Sequence, residues 1–129
     1  MPDELRVRNY RVRLPKGFSL VRYEDLGSAG APGPDLMLEL SSRCGEVLVV
    51  VEVTGTPEIR DINRAAGSGR GRIVVGVVHH SGGVRSPVIN QAKKAGVLLV
   101  NCSSTNYLDL DVVFREYLRE LYMRCGGQA

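Results

Sequence analysis

Glu52 interrupts the most apolar stretch of the chain, Val47-Leu48-Val49-Val50-Val51-Glu52-Val53. A β-branched run of this kind reads as a strand covered on both faces. A charge inside it is costly, because desolvation either raises the carboxylate pKa or recruits a compensating cation. A second strand, Asp35 to Leu40, precedes it, and Ser41-Ser42-Arg43-Cys44-Gly45 forms a short polar connection that suits a hairpin. With the loop at Ser42 to Gly45, Ser41 faces Glu46, Leu36 faces Val51 and Asp35 faces Glu52. Like charges placed opposite each other, about 4.5–5.5 Å apart at Cβ, destabilise a sheet. A divalent cation relieves them, and Mg²⁺ takes one or two carboxylates together with waters and phosphate oxygens. A loop one residue shorter or longer slips the register and sets Asp35 against Val51 or Val53. In the other arrangement left open, Glu52 points outward from an edge strand beside Arg60 or Arg64.

The remaining segments frame this hairpin. Residues 5–14 alternate imperfectly and read as a strand, broken by Pro15-Lys16-Gly17; Phe18 to Tyr23 reads as another, and Gly27 to Pro34 as a loop. Pro57 and Glu58 open a short helix that Gly67-Ser68-Gly69 closes, and Ile73 to Val78 is a buried strand. Pro87 to Ala95 is a helix ended by Gly96, followed by a strand from Val97 to Asn101. A final helix is expected from the caps at Ser103 to Asn106 as far as Met123. This order predicts one α/β domain over 1–129, a mixed sheet with an N-terminal hairpin and flanking helices. Residues 1–16 form a basic leading segment and 126–129 a frayed tail.

Composition narrows the classes. The longest uninterrupted apolar run, Val47 to Val51, is far below the roughly 20 residues of a membrane-spanning helix, so no membrane partner is expected. The first residues lack the apolar core of a secretory signal, which points to the cytoplasm. Cys44, Cys102 and Cys125 are odd in number and lack CxxC spacing, so free thiols are the expectation. The net charge of +3 is mild, but Arg6, Arg8, Arg11, Arg13, Lys16 and Arg22 polarise it toward the N-terminus. Arg6, Arg8, Arg11 and Arg13 are the candidate nucleic-acid contacts, with a solvated strand face as the other reading.

Pro34-Asp35-Leu36-Met37-Leu38 and Val49-Val50-Val51-Glu52-Val53-Thr54 together resemble the core motif of the PD-(D/E)xK nuclease superfamily. The layout from Gly17 through the Asp35 strand is similar to that of archaeal Holliday-junction resolvases, and the resemblance covers about 17–101. It implies a restriction-endonuclease-like fold, with Mg²⁺ (or Mn²⁺) bound by Asp35, Glu52 and the carbonyl of Val53. It also implies phosphodiester hydrolysis of DNA, structured or branched DNA included, with RNA as the alternative polymer. Thr54 stands where the family has a Lys, and a hydroxyl supplies no positive charge to a developing oxyanion. Arg60, Arg64, Lys93 and Lys94 are substitute cations, and Lys94 joins Asp35, Glu52 and Thr54 as the catalytic candidates. Loss of the Lys favours the alternative of a catalytically inactive binding module or a structural subunit of a nuclease or repair complex. A homodimer or membership of a larger complex is the expected assembly. A third reading, a flavodoxin-like domain, requires parallel pairing throughout the sheet.

Other candidates have structural readings. His79 and His80, adjacent on a strand, point to opposite faces and are expected to be exposed or to cap a loop. Ser81-Gly82-Gly83 offers backbone N–H groups to a phosphate. Gln91 is either on the site side or on a plain polar surface. Cys102 sits at a strand end without a nucleophile's partners, and Tyr107, Phe114, Tyr117 and Tyr122 belong to a core or a dimer surface.

Overall fold

The computed structural model describes residues 4–7, 10–25, 35–66, 72–102 and 106–126. The expected loop Gly27 to Pro34, the helix-closing Gly67-Ser68-Gly69, Arg8, Ser103 to Thr105 and the tail residues 127–129 lie outside them. Twelve elements follow in chain order: β1 (Glu4–Val7), β2 (Tyr10–Arg13), β3 (Ser19–Asp25), β4 (Leu36–Ser42), β5 (Gly45–Thr54), α1 (Ile59–Ala66), β6 (Ile73–His80), α2 (Ser86–Ala95), β7 (Val97–Asn101), β8 (Tyr107–Asp109), α3 (Leu110–Tyr117) and α4 (Arg119–Cys125).

The larger sheet has the order β3-β4-β5-β6-β7. Pairing is antiparallel across β3-β4-β5 and parallel across β5-β6-β7, so the all-parallel sheet of the flavodoxin-like reading is ruled out. The hairpin register is the one expected from its short loop, with Leu36 on Val51 and Ser41 on Glu46. Ser42 also pairs with Gly45, leaving Arg43 and Cys44 as a two-residue turn. The Ser42 hydroxyl donates to the Gly45 carbonyl at 2.9 Å and accepts the Cys44 N–H at 3.1 Å, which holds that turn.

β5 is apolar from Val47 to Val51 because both of its faces are covered there. Val47, Val49 and Val51 join Leu36, Leu38 and Leu40 in the main core, which β2, β8, α3 and α4 close through Val12, Leu108, Phe114 and Tyr122. On the other face α1 and α2 lay Ile62, Ala65, Val88 and Ala92 against Val78 and Val97. A methyl group on Gly76 would stand 2.3 Å from the Ala65 carbonyl oxygen, so α1 approaches β6 closely only because that position is glycine. Gly96, at φ 72°, closes α2 in the left-handed conformation that glycine adopts without strain.

Four expectations are corrected. Segment 5–14 is a hairpin of two short strands, whose second strand pairs parallel with β8 in a separate sheet of order β1-β2-β8. The final helix is preceded by that strand, is capped by the Asp109 carboxylate on the Val112 N–H at 3.1 Å, and breaks at Leu118. Cys44 and Cys125 are joined in a disulfide across 81 residues, because α4 packs its end on the β4–β5 turn; Cys102 is the free thiol. Gly126, expected to be frayed, is buried and donates to the Tyr122 carbonyl at 2.8 Å. No helix among the described residues is long and apolar enough to cross a membrane.

Candidate functional site

Parallel pairing aligns the ends of β5, β6 and β7, with Val53 beside His79 and His80 beside Asn101. β4 enters the sheet at the same end, where Leu36 meets Val51. The carboxyl ends of adjacent parallel strands form the crevice in which open α/β sheets bind ligands.

Asp35 immediately precedes β4. Its N–H donates to the Val51 carbonyl at 3.0 Å, and its Oδ2 accepts the Val53 N–H at 2.7 Å. The carboxylate thus supplies an acceptor where the β4 backbone leaves the ladder, one residue beyond the Leu36–Val51 pair. Glu52 is 4% exposed, and its Oε1 has no hydrogen-bond partner. Burial, and then the Asp35 charge, push its pKa up to about 8; a carboxyl–carboxyl contact with Asp61 adds to the rise, and Arg64 opposes it. The Arg64 guanidinium lies 3.7 Å from Glu52 Oε2, beyond a good hydrogen bond, and keeps 38% of its side chain exposed.

The expectation of Glu52 on an edge strand does not hold, since β5 is central, although Arg64 is indeed its neighbour. Asp61 and Arg64, three residues apart on α1, are presented to Glu52 by the same helix face. Asp61 is also buried, and its Oδ2 accepts the Glu58 N–H at 2.8 Å, tying off the start of α1. Sequence reasoning named Arg64 as a possible neighbour of Glu52 and as one of several substitute cations, and overlooked Asp61. The signal for both was the i, i+3 spacing after a helix start that follows Glu52 by a few residues.

Thr54 shares the Glu52 side of β5, and its hydroxyl donates to the Thr56 carbonyl at 3.4 Å. Val53 is joined to Asp35 through its N–H. Lys94 is exposed in the last turn of α2, and among the described residues it makes no ion pair with either carboxylate. Gln91 donates to Asn63 at 3.5 Å, bridging the two helices. The Gly82 N–H is spent on the Gly55 carbonyl at 2.6 Å, so it does not point at a phosphate.

His79 lies on the opposite face of the sheet and is fully buried, while His80, paired with Thr54, shares the Glu52 face and is 3% exposed; neither imidazole is exposed, and His80 takes the expected capping role. Side chains of neighbouring strand residues do point apart: His79 Nδ1 meets the Tyr10 hydroxyl at 3.0 Å, and His80 Nδ1 meets the Gly82 carbonyl at 2.9 Å. Burial, with His80 adding, lowers the His79 pKa to about 4, and its Nε2 has no partner. Burial raises the Tyr10 hydroxyl pKa, with Asp35 and then Cys102 adding to it, which places Tyr10 within reach of the Asp35 field.

The N-terminal arginines are partly compensated. Arg6 and Arg11 are cross-strand neighbours; Arg11 pairs with Glu4 at 3.5 Å and lies 4.8 Å over the Tyr107 ring, and Arg13 pairs with Asp109 at 3.4 Å.

Among the described residues no three His, Cys, Asp or Glu side chains are grouped so as to hold a metal ion. The all-oxygen pair of Asp35 and Glu52 nonetheless fits a hard divalent cation that draws most of its ligands from water and phosphate. The orphaned, buried Glu52 Oε1 is the observation behind that fit. No protein-family model matches the chain, and neither the curated proteins nor the solved structures contain a match to it.

Proposed function

We propose that this chain is a nuclease-like domain that hydrolyses phosphodiester bonds of DNA with Mg²⁺ or Mn²⁺ held by Asp35 and Glu52. One observation carries the reading: a buried carboxylate oxygen without a partner on Glu52, next to a second acid, Asp35, whose carboxylate is bonded to the N–H of the adjoining Val53. Left alone, such a pair is a destabilising feature that a cation would cure. The order of three antiparallel strands followed by two parallel ones, with α1 and α2 as crossovers, supports a restriction-endonuclease-like fold.

A cation bound there would neutralise phosphate charge and lower the pKa of bound water. The protein's own residues do the rest. Asp35 is oriented by the Val53 N–H, Glu52 keeps one buried oxygen without a partner, and Arg64 offers a positive charge beside it in place of the Lys that Thr54 replaces. RNA is the alternative polymer, and assembly as a homodimer or within a larger complex would bring more than one strand within reach.

A second reading, a catalytically inactive nucleic-acid-binding module, is favoured by Thr54 and by Arg64 standing on Glu52 as an internal counter-ion. Cleavage of plasmid and branched DNA with Mg²⁺ or Mn²⁺ separates the two. The proposal expects cutting that Asp35→Ala and Glu52→Ala each abolish. DNA retention without cutting supports the inactive module, and cutting that survives both substitutions rejects the site.

A further inference from the structure

A concave surface lies at the far end of the molecule. Two adjoining cavities of about 340 and 430 Å³ share Lys16 and Arg115; Arg119 and Met123 line the first, and Arg13 and Asp111 the second. Four cations against one carboxylate leave the lining with three net positive charges, as many as the whole chain carries. Arg115 is tied to Asp111, and Arg13 is shared with Asp109. Lys16 and Arg119 are exposed and make no ion pair among the described residues.

This surface is rigid. The Lys16 backbone N–H donates to Asp111 Oδ1 at 2.9 Å, the Tyr122 hydroxyl donates to the same oxygen at 3.2 Å, and the Cys44–Cys125 disulfide pins α4 to the β4–β5 turn. That turn adds the guanidinium of Arg43, which donates to the Met123 carbonyl at 3.3 Å and so keeps its charge. These ties fix the backbone from which the cations project, so meeting an anion requires no rearrangement of the fold.

We propose that this groove is a second nucleic-acid contact, binding the sugar–phosphate backbone through Lys16, Arg119 and Arg43. The identity of the polyanion rests on the reading of the carboxylate site as a nuclease-like centre. β5 places the two regions seven residues apart, roughly 23 Å at the rise of a strand. Contacts at that distance anchor and orient a polymer without touching the scissile bond.

The test is fluorescence anisotropy of a labelled DNA duplex in EDTA, titrated across salt concentrations, so that binding is read without cutting. Each phosphate contact contributes about 0.9 to the slope of log K against log salt. Lys16→Ala/Arg119→Ala is expected to lower that slope by about 2 and to weaken binding at least tenfold at ~0.1 M salt. Alanine at 16 keeps the backbone N–H on Asp111, and an unchanged melting temperature verifies the fold. Arg85→Ala, at an exposed cation just before α2, is expected to leave the slope unchanged. An equal slope in wild type and double variant overturns the groove, as does a poly-glutamate that displaces the duplex at lower charge concentration. Wild type that binds no duplex at low salt also overturns it. Uptake of Mn²⁺ that depends on Glu52, measured without DNA, tells separately whether the carboxylate centre stands.

Discussion

Two carboxylates are buried almost equally at opposite ends of the molecule, Asp111 at 2% exposure and Glu52 at 4%. Asp111 is surrounded by donors: the Lys16 N–H, the Tyr122 hydroxyl and the Arg115 guanidinium all converge on it. Glu52 is beside acids, with Asp35 and Asp61 raising its pKa, one guanidinium at 3.7 Å and a free oxygen. Burial is therefore not the distinguishing property. A buried acid whose partners are complete fastens loop to helix, whereas one whose neighbours are also acids raises the energy of the fold until something external relieves it. The first pattern is architecture, and the second is what a binding site for a cation requires.

The contrast breaks most readily at Asp111. Asp111→Ala leaves the Lys16 N–H and the Tyr122 hydroxyl without their acceptor, and is expected to cost about 3–5 kcal/mol in urea unfolding, with or without divalent cation. A loss below about 1 kcal/mol would remove the distinction between the two acids. Next in size, Cys44→Ser opens the disulfide at the same end and is expected to lose about 2–4 kcal/mol, read as an earlier urea midpoint; an unshifted midpoint would show that α4 is held without it.

Glu52 is expected to behave in the opposite sense. Its folded pKa of about 8 lies above the unfolded value of about 4.3. Between these values the folded state binds the extra proton, so metal-free stability falls as pH rises through that window and levels off above it. Glu52→Gln removes the charge and is expected to flatten this decline, gaining on the order of 2 kcal/mol at pH 9. A variant less stable than wild type at pH 9 would mean that Arg64 satisfies Glu52 after all.

The smallest effect concerns His79, whose pKa is lowered to about 4 against about 6.5 unfolded. Here the unfolded state takes up the proton first, so stability is lost as pH falls from 6.5 toward 4. Replacing His79 with Phe is expected to flatten that acid limb by about 1–2 kcal/mol in thermal melts, at some cost from the orphaned Tyr10 hydroxyl. An acid limb that keeps its slope would assign it to other groups.

Much of the frame was legible in the residues. The Val47 to Val51 run and the short Ser-Arg-Cys-Gly connection set the hairpin register, and the Pro87 and Gly96 signals bounded α2. What was not legible depended on contacts between distant segments. Residues 107–109 carry helix-like spacing but pair with β2, a partner almost a hundred positions away. The disulfide needed α4 to fold back on the β4–β5 turn, which no spacing of three cysteines announces. At the site, Asp35 and Glu52 stood out as charges in apolar strands, while Asp61 and Arg64 looked like an ordinary solvated helix face until α1 was laid over β5.

The central claim is that Glu52 awaits a cation. Calorimetric titration of Mn²⁺ into wild type and Glu52→Gln at pH 8.5, where the wild-type carboxylate is ionised, tests it directly. The account predicts about one Mn²⁺ per wild-type chain with a raised melting temperature, and neither effect in the variant. Equal uptake by both proteins, or none by either, would contradict it.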